Sequence, residues 1–218
     1  MATTLLRTSR CEPSGARLPR LCIETIILFL VFFFVVALLA PPGVYAQETG
    51  VTLDPGQTRI EYTLGATLHE VHGTFKLKSG VVRFDPATGK AGGAIVVDAT
   101  SGNSGNDGRD SKMHREILES AKYPEIVFMP SRVKGVVNAP GASQVEVSGI
   151  FRLHGQDHDL TIPLALQVTG SQATASAHFS VPYQNWGLKN PSTFILRVKD
   201  TVQIEVEAIG HLTAAPTK

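Results

Sequence analysis

Seven histidines are the first residues whose spacing suggests chemistry. His69/His72 and His154/His158 are the close pairs, and paired imidazoles hold a zinc-type ion when a carboxylate completes the set. On an extended strand, positions three apart project to opposite faces, so His69 and His72 converge only if the segment bends. His154 and His158 flank Gly155-Gln156-Asp157 and meet only across a turn, with Asp157 or Asp159 as a third donor. A solvated turn in which His154 bonds backbone accounts for that pair without an ion, and no metal site is assigned. Hydrolysis or isomerisation needs a nucleophile beside a base. The chain has no Gly-x-Ser-x-Gly elbow and no His-Glu-x-x-His run, and the nearest hydroxyls, Ser148 and Ser180, stand beside distant histidines. No catalytic residue is assigned, and an enzyme is the weakest of the readings.

The elements that would position such residues begin after a leader. Arg7, Arg10, Arg17 and Arg20 precede an apolar run from Ile26 to Ala40, which Pro41-Pro42-Gly43 breaks ahead of Val44-Tyr45-Ala46. This is the pattern of a secretory signal peptide, residues 1–46, with cleavage expected after Ala46; an uncleaved anchor is the alternative. Both versions export residues 47–218, because the arginines hold the N-terminus inside, and the expected location is periplasmic or secreted. Both cysteines, Cys11 and Cys22, lie in the leader. The exported part therefore has no disulfide, thiolate nucleophile or Cys-based zinc site. Without the leader's four arginines and two glutamates the balance is 16 Lys+Arg against 17 Asp+Glu. That near-neutrality argues against a nucleic-acid partner and against a polybasic membrane surface.

Beyond the leader the hydrophobic period is two. Ile60/Tyr62/Leu64, Val71/Gly73/Phe75/Leu77, Ile95/Val97/Ala99 and Val145/Val147/Gly149/Phe151/Leu153 alternate with polar neighbours. Leu160 to Val168, Ala173 to Val181 and Val202 to Leu212 do the same. Turn-forming residues at Asp54-Pro55-Gly56, Ser79-Gly80, Asp85-Pro86, Ala139-Pro140-Gly141 and Gly170-Ser171 join short antiparallel strands into a meander. Eight or nine such strands make a closed up-and-down barrel or a sandwich. Arg109 to Ser120 reads as one short helix, capped by Asn106 or Asp107, with Met113 and Ile117 four apart on one face. Gly73, Gly149, Ala173, Ala175, Ala177, Ala208 and Gly210 fall on the apolar faces. Small inward residues either leave space for a ligand or mark close strand approaches.

Four blocks then resemble one family. Arg109-Asp110, Met113, Ile117-Leu118 and Lys122-Tyr123-Pro124-Glu125-Ile126-Val127-Phe128 look like the signature of the YceI family of periplasmic lipid-binding proteins. Glu70-Val71-His72-Gly73-Thr74-Phe75 with Phe84-Asp85-Pro86 resembles its first hairpin. Val147-Ser148-Gly149 through Leu153-His154-Gly155 and Leu160-Thr161-Ile162-Pro163-Leu164 resembles its middle stretch. Phe179-Ser180-Val181-Pro182, Trp186-Gly187-Leu188 and Lys199-Asp200-Thr201-Val202 resemble its closing strands. Pro182-Tyr183-Gln184-Asn185 departs from relatives that carry a basic residue there, which weakens any charge pairing to a head group at that place.

The resemblance implies an all-β, extended antiparallel lipocalin-like barrel of about eight strands with one short helix, enclosing an apolar tunnel for a long-chain isoprenoid or fatty-acyl lipid. No cofactor is expected beyond that lipid. The expected lining is Phe75, Phe128, Phe151, Phe179, Leu153, Leu164 and Ile204, with Met113 and Ile117 closing one side and Trp186 as plug or wall. Ordinary core packing is the alternative for each. Arg109 either ties its loop to the rim or meets a phosphate or carboxylate head group at the mouth. The leading reading is a non-catalytic carrier or sequestering protein. A packed envelope-stress or interaction module is the second, with the loop 101–108 as its surface. A barrel has no free edge, so a homodimer would use the helix or an outer face.

Overall fold

The computed structural model describes residues 49–67, 69–192 and 197–214; the leader, with its expected cleavage after Ala46, lies outside the described residues. Nine strands follow in order: β1 (Thr49–Leu53), β2 (Arg59–Ala66), β3 (Glu70–Phe84), β4 (Ala91–Asn103), β5 (Glu125–Lys134), β6 (Gly141–Leu153), β7 (Gln156–Thr169), β8 (Gln172–Val181) and β9 (Val198–Ala214). From β2 to β9 each strand pairs antiparallel with the next, and β2 also pairs with β9, which closes the sheet on itself. β1 and β2 both lie between β3 and β9 and run in the same direction. They are two pieces of one staggered strand, interrupted where Asp54 bonds the Gly56 amide at 2.8 Å and the Gln57 side chain at 2.6 Å. The result is a closed eight-strand antiparallel barrel, which leaves no sheet edge open.

The hairpins fall at two ends. At one end lie the β2–β3, β6–β7 and β8–β9 connections and the long β4–β5 crossover; this is the lid end. At the other lie the β3–β4, β5–β6 and β7–β8 turns and β1. The tightest lid-end turn pairs Leu153 with Gln156 across His154 (φ 52°) and Gly155 (φ 75°). Two successive positive φ values match the right-handed strand twist, which is why two-residue hairpins adopt them. A side chain at Gly155 would meet the Tyr123 ring at 2.6 Å, so glycine also lets the crossover seat on the hairpin.

The crossover carries helix α1 (Asp107–Lys112), starting where the Asn106 side chain accepts the Arg109 amide at 2.9 Å. The single helix expected over Arg109 to Ser120 is corrected: regular α geometry ends at Lys112 and a π-helical turn, Met113–Ile117, follows. The wider turn is seen in the Leu118 amide donating to the Met113 carbonyl at 2.9 Å. His114 holds it there, with Nε2 on the Gly102 carbonyl at 2.9 Å and Nδ1 on Ser120 Oγ at 3.1 Å.

Candidate functional site

Strand register sets which side chains face inward. Leu77 opposes Val97, which opposes Ile126; Ile95 opposes Phe128, then Phe151, then His158; Phe179 opposes Ile204, then Tyr62. The inner face divides into three zones along the axis. At the lid end Leu153, Val181, Tyr183 and Leu188 are buried as a plug, with Leu64, Ile117, Leu118, Ile126 and Val202 packed against it. The Tyr183 hydroxyl donates to the Lys199 carbonyl at 2.7 Å, and its burial, with Asp200 nearby, pushes the phenol up to about 12.

The middle zone holds Phe75, Ile95, Val147, Phe151, Leu160, Leu164, Phe179, Ile204 and Val206, which face inward yet are only partly buried. Phe128, Ile162 and Ala177 form its buried side. Phe151 meets Phe179 edge-on at 6.5 Å and Trp186 at 5.6 Å, and Trp186 lies flat on His158 at 4.2 Å with 4° between planes. The far zone is more covered, although Leu166 and Ala175 within it are partly exposed. Val145, Val168, Ala173 and Ala208 are each 4–7% exposed.

Most of the small inward residues, in every zone, sit at close contacts. At Gly149 a Cβ would stand 2.3 Å from the Met129 carbonyl, at Gly73 2.4 Å from the Tyr62 ring, and at Gly210 2.8 Å from Val51. These positions mark close approaches, and Ala173, Ala177 and Ala208 are covered, while Ala175 is partly exposed. The partly exposed wall is made instead by the large residues of the middle zone.

The expected lining residues are distributed over these zones. Phe75, Phe151, Leu164, Phe179 and Ile204 lie in the middle, Phe128 is buried beside them, and Leu153 belongs to the plug. Met113 and Ile117 do not act as one face. Ile117 packs on the plug, while Met113 Sδ accepts from the Tyr62 hydroxyl at 3.6 Å, with the Tyr62 ring 5.4 Å from Phe75. Trp186 joins the plug to the middle zone. Arg109 ties its own loop: Nε donates to Ser104 Oγ at 2.7 Å and Nη2 to the Ser104 carbonyl at 2.9 Å. Asp110, 9% exposed, completes that clasp by accepting the Ser104 amide at 2.9 Å and its hydroxyl.

The solvated turn expected for His158 is corrected by the register, which turns it inward opposite Phe151. The alternation was legible, since His158 stands two before Leu160 on the same face. His154 rests on the Tyr123 ring at 4.4 Å with Nε2 3.6 Å from Glu119. Among the described residues no helix is long and apolar enough to cross a membrane.

A closed eight-strand barrel with a plugged end, an apolar inner wall and a crossover helix defines a lipocalin-like class. The family model for the YceI-like domain matches residues 51–209, and the chain belongs to that family. Its fold is shared with BcnA of Burkholderia cenocepacia, at TM-score 0.59 and 17% identity, covering 72% of this chain and 98% of the other. A polyisoprenoid-binding domain of Saccharophagus degradans, implicated in plant cell wall breakdown, matches at TM-score 0.55 and 17% identity over 75% of this chain and 98% of that one. The Campylobacter jejuni YceI protein matches at 0.50 and 15%, covering 60% and 78%. No curated protein matches the chain.

Proposed function

We propose that this protein binds a long-chain isoprenoid or acyl lipid inside the barrel and carries or sequesters it without catalysis, after export to the periplasm or beyond. One observation carries the reading: among the described residues no large side chain is fully sealed, although the barrel is closed. A packed interior of this size seals many, because unfilled space forfeits dispersion contacts. A lipid chain would restore those contacts, at roughly 0.8 kcal/mol for each methylene removed from water. Phe75, Phe151, Leu164, Phe179 and Ile204 would line it, with Phe128 behind them and Leu153, Ile117 and Trp186 closing the lid end. The family and its polyisoprenoid-binding relative support the same ligand class.

The test is native mass spectrometry of the secreted protein purified without detergent, followed by organic extraction. The expected result is a discrete adduct released as a prenyl or acyl compound. An apo mass, together with no uptake of added prenyl lipid, would leave a barrel that works through its outer surface.

A further inference from the structure

Among the described residues of β2 to β9 no Lys or Arg lies on the inward-facing register, and Asp200, exposed and in phase with Val202 and Ile204 at the lid end, is the acidic exception. The other polar side chains of the inner wall are few. The Tyr62 hydroxyl is taken by Met113, Ser143 Oγ accepts the Asn138 amide at 2.8 Å, and Gln156 is exposed at the hairpin. His158 differs from all of these. Its Nε2 is closed off from solvent and has no hydrogen-bond partner, while its ring is held flat on Trp186 and level with Phe151. An unpaired buried nitrogen is costly. The neighbouring Phe151 and Trp186 are only partly buried.

The geometry points to His158 Nε2 as the polar contact for the ligand's head, placed next to the lid-end plug, and to a head that is an uncharged oxygen group, a hydroxyl or a carbonyl. This rests on the lipid-binding reading and adds orientation: the head lies inward at the Trp186 stack and the tail runs along the middle zone. An imidazole nitrogen donates to a carbonyl or accepts from a hydroxyl, according to its tautomer. A diphosphate would find no cation on this wall, and burying it unpaired is prohibitive.

Trp186, the single tryptophan of the chain, reports binding at this place. The full chain as processed by a secreting host is titrated with geranylgeraniol, with a C20 isoprenoid hydrocarbon and with geranylgeranyl diphosphate, following its fluorescence. The alcohol should bind about tenfold more tightly than the hydrocarbon, the worth of one buried hydrogen bond, and the diphosphate no more tightly than the alcohol. His158→Leu should bring the alcohol to the level of the hydrocarbon measured in the same variant, and His158→Gln should keep part of the preference. If His158→Leu does not fold, His158→Phe, which retains the stacking face, makes the same comparison. An alcohol preference that survives loss of the imidazole, or equal binding of alcohol and hydrocarbon by the unaltered protein, overturns the assignment while leaving lipid binding intact. Failure of all three compounds to bind the unaltered protein sinks the lipid reading and this inference with it.

Discussion

The middle and far zones of the barrel share strands, period and closure, yet they use inward residues in opposite ways. In the middle, Phe151, Phe179 and Ile204 are large and still partly exposed; in the far zone, Ala173 and Ala208 are small and covered. Side-chain volume therefore does not report free space. What matters is how closely neighbouring strands and their side chains approach, and small residues permit that approach.

The sharpest break of the comparison is at the plug, which must be solid if the middle is to be a bounded lumen. Leu153→Ala should lower stability by about 3 kcal/mol or more, as buried leucines do when a cavity remains, read by denaturant unfolding. A loss under about 1 kcal/mol would mean that the lid end collapses easily and is not a plug. A paired comparison comes next. Ala173→Leu overfills a covered site and should cost about 2 kcal/mol without altering lipid uptake, whereas Phe151→Leu should cost about 1 kcal/mol and weaken uptake. The reverse pattern would place the lumen in the far zone.

The smallest effect is at alkaline pH. Tyr183 holds its proton more tightly when folded, so the unfolded chain loses that proton first. Its stabilising contribution is intact below pH about 10 and declines as pH rises towards the folded value of about 12. Tyr183→Phe should flatten that decline in a melting-temperature series and cost about 1 kcal/mol at neutral pH, for the bond to Lys199. An unchanged alkaline slope would show that the plug does not shield this phenol.

The break at Asp54-Pro55-Gly56 was legible as a turn, but not that β1 and β2 resume the same barrel position after it. That depends on both pairing with β3 and β9, whose residues lie far along the chain. His158 shows the same division. Its place on the inward face follows from alternation with Leu160, while its stacking on Trp186 needed the β8–β9 connection to fold back over the β6–β7 hairpin. Arg109 was legible as either a loop tie or a head-group contact, and only the placement of Ser104 within reach showed the tie.

By itself the sequence determined most strands and turns, the helix cap and the apolar inner face, because alternation and turn chemistry act between residues a few positions apart; the turn expected at Ser79-Gly80 is instead a bulge inside β3, where pairing with β4 carries the strand through. Tertiary structure alone decided which glycines mark contacts, which inward side chains stay partly exposed and that the imidazoles of His154 and His158 keep a buried nitrogen without a hydrogen-bond partner, because those depend on distances between strands that local sequence does not encode.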